Sequence, residues 1–219
     1  MDLFPKNILP TKEVKKFILV FYTIGVLGFL IPWTNSFFTT ITPFALLLST
    51  YLLLLYHENY ERKDILVFSA IAFLGFFIEV AGVNTGVIFG RYFYGDAFGF
   101  KWFNTPLLIA LNWLFLTYTA FAIAQKISKR GILQLLIAPS LMLFYDIILE
   151  QLAPKMDMWS WQNSVVPLQN YVAWWIIGFL FAGLIKICKI EIKNHIAILL
   201  FICQLLFFIV LFIFFKVIK

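Results

Sequence analysis

What most constrains this chain is a succession of apolar runs, each about as long as a helix needs to cross a bilayer. Covering the hydrocarbon core takes ~20 apolar residues. Such runs recur at residues 17–33, 37–56, 65–83, 106–124, 132–152, 168–187 and 196–215. They take up most of the 219 residues and leave no stretch for a soluble domain. Composition agrees, with 63% of residues hydrophobic and 13% charged, against ~25% charged in a soluble domain. The expected fold is all-α: a polytopic transmembrane helix bundle of about seven spans, forming a single integral membrane domain over 1–219. The first 16 residues are polar and mixed in charge, and the first apolar run ends in Pro32-Trp33. That run therefore reads as a first span, not as a cleaved signal.

The net charge of +6 would suggest nucleic acid in a soluble protein. Here the charges fall between apolar runs, and no nucleic-acid partner is expected. Twelve of the 17 Lys and Arg lie on one side of the expected topology: Lys6, Lys12, Lys15, Lys16, Arg62, Lys63, Lys126, Lys129, Arg130, Lys186, Lys189 and Lys193. Arg91, Lys101, Lys155, Lys216 and Lys219 fall on the other. Lys and Arg concentrate on the cytoplasmic side of membrane proteins. The expectation is thus a multi-pass protein of the cell (inner) membrane with its N-terminus cytoplasmic. Cys188 and Cys203 lack metal or redox spacing and read as packing residues. His57 and His195, at span ends with no partner in sequence, read as solvated.

Two loops stand apart. Residues 84–105 interleave Gly86, Gly90, Gly95 and Gly99 with eight aromatic residues, and 154–167 carry Asp157, Trp159 and Trp161. The first lacks a Gly-Lys-Ser/Thr ending and is no phosphate cradle. Its glycines suit tight turns beside bulky rings, so a short hairpin or re-entrant segment is expected. Trp102, Trp159 and Trp161 fit either a roof over a site or an interfacial belt.

Ionisable groups inside spans are costly and usually face the bundle interior. Glu79 lies near the end of the third span, and Asp146 and Glu150 near the end of the fifth. The latter two are spaced i, i+4 and share a helix face. By the topology above, all three sit toward the outer leaflet, at the depth of Asn112 in the fourth span and of Gln169, Asn170 and Trp174 in the sixth. A polar pocket in the outer half of the bundle, roofed by aromatics, is the expected site. Structural hydrogen bonding between helices is the plainer reading of any one of these groups.

A carboxyl group in an apolar site can stay protonated near neutral pH and serve as a general acid. A second carboxyl nearby separates the two titrations, so that one acts as acid and the other as base. Aromatic faces can stabilise a carbocation. The sequence shows no His/Cys metal cluster, nucleophile elbow or dinucleotide fingerprint. Acid-base chemistry on a lipid-soluble alkene, without metal or cofactor, fits these residues.

The run Glu79-Val-Ala-Gly-Val-Asn-Thr-Gly-Val-Ile-Phe-Gly-Arg-Tyr-Phe-Tyr-Gly95 resembles the signature of the carotenoid biosynthesis proteins of the CruF type. These are membrane carotenoid hydratases and include the bisanhydrobacterioruberin hydratases. Pro106-Leu-Leu-Ile-Ala-Leu-Asn-Trp113, Asp146-Ile-Ile-Leu-Glu150, Asp157-Met-Trp-Ser-Trp161 and Pro167-Leu-Gln-Asn-Tyr171 resemble further motifs of that family in order. The resemblance covers about half the chain, from Ile65 to Trp175. It implies addition of water to the terminal isopropylidene double bond of an acyclic carotenoid, giving a tertiary alcohol. The implied partners are a lipophilic carotenoid such as lycopene, water, membrane lipid and other carotenoid enzymes. It carries over no catalytic roles, so these come from the residues. Asp146 or Glu150 would protonate the alkene, and Glu79 with Asn112 or Asn170 would hold and deprotonate water. Tyr92, Tyr94 or Trp113 would face the cation. Asn84, Trp159, Trp161, Gln169 and Trp174 complete the expected substrate-binding set.

Other readings stay open. A carotenoid end-group cyclase or isomerase starts from the same protonation but excludes water. A proton-coupled transporter could use the same carboxylates. A retinal protein would need an interior lysine in the last span, where Lys216 stands only at the end.

Overall fold

The structure, a computed structural model, describes residues 9–218. Lys6 and Lys219 of the charge distribution lie outside the described residues. Among the described residues there are seven α-helices: α1 Thr11–Leu30, α2 Asn35–Leu55, α3 Arg62–Thr85, α4 Leu108–Ile127, α5 Gly131–Glu150, α6 Leu168–Ile187 and α7 Ala197–Ile213, the last continuing as a π-turn over Phe214–Ile218. The all-α bundle is as expected. Six helices, α2 to α7, are long and apolar enough to cross a membrane. The expected first span falls short of that because Lys12, Glu13, Lys15 and Lys16 occupy the first turns of α1. It nevertheless runs the length of α2. Tyr56 Oη, just past the end of α2, donates to the Leu9 carbonyl at 2.8 Å, and Thr34 Oγ1 at the other end donates to the Gly28 carbonyl at 2.7 Å.

Helix α4 is the axis of the bundle. Every residue from Asn112 to Ala122 is buried, as befits a helix apolar on all sides, and it touches α2, α3, α5, α6 and α7. Helix α3 has defined ends. Glu61 and Asp64 form a capping box at its start, and Gly86, at φ 68°, closes it by donating its N–H to the Gly82 carbonyl. A left-handed residue at this place costs glycine little.

The two ends of the bundle differ. At the lysine-rich end, Glu58 N–H donates to the Lys193 carbonyl at 2.9 Å, and the Asn194 amide donates to the Leu53 carbonyl at 2.7 Å. His57 is buried there, contrary to its reading as a solvated residue. Its Nε2 lies 3.6 Å from Asp64 and its Nδ1 lies 2.6 Å from Tyr118 Oη, a partner that the sequence separation of 61 residues concealed. His195 is exposed and pairs with Glu58 at 3.2 Å.

At the opposite end lie the two unusual loops. Strands β2 (Lys101–Trp102) and β3 (Thr105–Pro106) form the expected short hairpin. Its turn residues Phe103 and Asn104 both have positive φ, 49° and 61°, as a type I′ turn requires. Less expected, β1 (Tyr92–Tyr94) pairs antiparallel with β4 (Trp159–Trp161), joining one loop to the other in the register Tyr92↔Trp161, Phe93↔Ser160, Tyr94↔Trp159. The Gly95 and Ala97 N–H groups extend this link to the Met158 and Asp157 carbonyls.

Candidate active site

Alternation along the strands builds the site. Residues i and i+2 of a strand share a face, so Tyr92 with Tyr94, and Trp159 with Trp161, point down onto the helices. Both tyrosine hydroxyls donate to Glu79 Oε2, at 2.5 and 2.7 Å. Trp113 Nε1, from α4, donates to Glu79 Oε1 at 3.0 Å. The indoles of Trp159 and Trp161 both donate to Glu150 Oε2, at 3.0 and 2.7 Å. Asn170, at the start of α6, donates its amide to Glu150 Oε1 at 3.2 Å and to Asp146 Oδ2 at 3.0 Å. The three carboxyl groups are all buried, and the second oxygen of Asp146, Oδ1, has no hydrogen-bond partner.

The two tyrosines supply protons for hydrogen bonding. Burial, reinforced by the neighbouring Glu79, holds both hydroxyls well above the usual phenol range, so they remain donors. Glu79 thus accepts from three neutral donors, as does Glu150, whereas Asp146 accepts from one.

Between these groups lies a cavity of about 20 Å³, lined by Glu79, Glu150, Asn112, Asn170, Tyr92 and Tyr94 among others. A space of ~10–15 Å³ holds one water. Asn112 is buried and uses its amide on no other described residue. It also lines a second, much larger space: an apolar groove of about 680 Å³ between α1, α2 and α7, walled by residues such as Phe21, Phe29, Phe38 and Phe207. Phe98 and Met158 of the loops, and Leu149 next to Glu150, line that groove with Asn112.

Most of the residues expected from sequence converge here. Glu79, Tyr92, Tyr94, Asn112, Glu150, Trp159, Trp161, Asn170 and Trp174 line the cavity. Trp113 stacks on Trp174 with ring centroids 4.3 Å apart. Asp146 stands behind Asn170. Trp113 and Asp146 bond residues of the cluster without lining the cavity, and two further expected residues stand apart from it. Asn84 is exposed and donates to the Val80 and Phe103 carbonyls, and Gln169 is exposed and donates to the Val87 carbonyl. Both tie the loop down because each stands at a helix end, where backbone carbonyls are nearer than the bundle interior. Trp102 is half-exposed and stacks on Phe76, 6.0 Å away, as an interfacial residue would. Phe89 and Ile109, which also line the cavity, were not foreseen. The spacing of Tyr92 with Tyr94 and of Trp159 with Trp161 was the available signal for the paired donors.

The fold and site define an integral membrane helix bundle with a buried carboxyl cluster and an apolar groove, whose walls share Asn112. The chain belongs to the carotenoid biosynthesis protein family, which it matches over residues 39–219, and its role lies in carotenoid biosynthesis. No curated protein and no solved structure matches it.

Proposed function

We propose that the chain is a hydratase, a hydro-lyase of the carotenoid 1,2-hydratase type, adding water to the terminal isopropylidene double bond of an acyclic carotenoid. The observation that supports this best is Asn112: it borders both the apolar groove and the water-sized cavity between Glu79 and Glu150. The carotenoid enters the groove from the membrane, with its end directed at Asn112. Glu150 lines the cavity and is the acid. Asp146 is linked to it through Asn170, and the pair shares one proton. The proton passes from Glu150 to the less substituted alkene carbon, and the cation forms at the more substituted one. Water held by Asn112 attacks the cation with its oxygen, and its proton goes to Glu79, the other carboxyl group that lines the cavity. A C–H and a C–O bond replace the π bond, and proton transfer from Glu79 to the acid pair through water resets the site. Trp174, which lines the cavity and stacks on Trp113, is the ring that would face a developing positive charge.

The test is co-expression in a carotenoid-free bacterial host that makes lycopene, with mass analysis of the pigments. The expected result is a gain of one water with an unchanged chromophore. Glu79→Gln and Glu150→Gln each lower that product by ~100-fold or more, the scale of general acid-base catalysis. Unchanged mass with altered retention and spectrum would replace hydration by cyclisation or isomerisation. Full turnover in both variants would overturn the roles assigned.

A further inference from the structure

The lysine-rich end of the bundle contains a cavity of about 650 Å³ that the hydration site does not use. It is built from the start of α1, the end of α4, the start of α5 and the α6–α7 connection. Its charged groups are Lys15, Lys126, Lys129, Glu191 and His195. Glu191 is paired with Lys193 at 3.1 Å and His195 with Glu58 at 3.2 Å. Lys15, Lys126 and Lys129 have no carboxylate partner among the described residues.

The amide side chains of the polar wall already have hydrogen-bond partners. Gln125 bonds the backbone of Ile190 and Ile192, Gln134 bonds Ser128 and Lys186, and Asn194 bonds Leu53 and Tyr118. Only the three ammonium groups are left to bind a ligand, and they select for negative charge. The remaining wall is apolar: Ala122 on α4, and Ile198, Leu199 and Ile202 along α7. Ile202 is exposed on the bundle surface, where lipid would lie. A ligand that fits both walls carries an anion at one end and a hydrocarbon chain at the other.

We propose that this cavity binds the phosphate of an anionic phospholipid, its headgroup between Lys15, Lys126 and Lys129 and an acyl chain along α7. Lysine binds phosphate as a point charge without a fixed geometry, and basic pockets between transmembrane helices are known sites for anionic headgroups. The cavity lies at the end of the bundle opposite the carboxyl cluster, so the proposal does not depend on the hydratase reading.

The experiment uses the full chain in neutral detergent. Phosphatidylglycerol, phosphatidylcholine and inorganic phosphate are titrated against it separately, with binding read from the unfolding midpoint and from lipid retained in native mass spectra. Phosphatidylglycerol is expected to raise the midpoint and remain bound, and the other two are not. The triple variant K15Q/K126Q/K129Q should bind it roughly a hundredfold more weakly, the loss expected for three basic groups near a membrane surface. The variant K12Q/K63Q/K189Q, with the same charge lost outside the cavity, should bind like the wild type. Equal stabilisation by phosphatidylcholine, or an equal loss in both triple variants, would overturn the site. Stabilisation by inorganic phosphate as strong as by phosphatidylglycerol would overturn the lipid and leave a free-phosphate site.

Discussion

Tyr92 and Trp161 face each other across the β1–β4 pair, ring centroids 5.2 Å apart, yet serve different carboxyl groups: Tyr92 donates to Glu79 and Trp161 to Glu150. One strand pair therefore sets the positions of both proposed reactive groups. Removing either donor while keeping an aromatic side chain tests this. Tyr92→Phe should lower turnover by ~10-fold or more and cost ~1.5–3 kcal/mol of stability, the scale of a hydrogen bond to a charged group. Trp161→Phe should do the same through Glu150. In the double variant the stability losses should fall short of additive, because the two rings are in contact. Thermal unfolding of the four proteins, alongside pigment analysis, checks both points.

How much of this was legible in the sequence follows from which interactions are local. The spans were readable because a membrane helix needs a long apolar run, and the limits of α6 coincide with those expected. The three carboxyl groups stood out because charge is rare inside spans. The β1–β4 pair did not stand out. Each strand is three residues long, too short for alternation to separate from chance, and its partner lies across two helices. The capture of His57 by Tyr118 is hidden in the same way. Asn84 and Gln169 were misplaced because depth along a helix can be counted from sequence, whereas the direction of a terminal side chain depends on loops that only the fold supplies.

Asn112 separates hydration from the other chemistry an alkene cation can undergo. Asn112→Leu is similar in volume and removes the amide that borders both spaces. Hydrated product should fall at least ~10-fold, with folding unaffected because no described residue depends on that amide. Products of proton loss or ring closure should rise in its place, resolved by retention time and absorbance. Unchanged hydration would remove Asn112 from the mechanism.

The contact between α3 and α4 is close enough that one methyl group should disturb the site. A Cβ on Gly75 would lie 2.7 Å from Trp113 Cβ and Cγ, so Gly75→Ala must push the helices apart or turn the indole away from Glu79. Overpacking of this kind costs ~1–3 kcal/mol. Lower thermal stability and loss of hydrated product are both expected. Gly183→Ala, where an added Cβ meets nothing within 4 Å, is the control and should retain both.

His57 gives the lysine-rich end a pH dependence of defined sign. Burial holds its pKa below the ordinary value of 6.5, outweighing the opposing pull of Asp64. As pH falls, the unfolded chain takes up the proton before the folded protein does. The contribution to stability is therefore complete above 6.5 and is lost as pH falls through 6.5 toward the folded-state value. His57→Gln, whose amide can still meet Tyr118, should flatten that loss. Unfolding midpoints of both proteins between about pH 7 and 5 decide it, and parallel curves would exclude His57.

The apolar groove allows binding to be separated from chemistry. A polyene chain needs a long hydrocarbon-lined path, and the groove supplies one of about 680 Å³ with Asn112 in its wall. Ala45 on α2 lines it away from the carboxyl cluster. Ala45→Trp fills the path without touching a hydrogen bond of the site. Hydration of a full-length carotenoid should fall ~10-fold or more, because the chain can no longer lie in place while its end reaches Glu150. A short isoprenoid alkene that occupies only the end of the groove should be hydrated at the wild-type rate. If the long substrate is unaffected, the chain enters by another route. If both are lost, the tryptophan has disturbed the site itself, through the groove wall that Ala45 shares with Asn112.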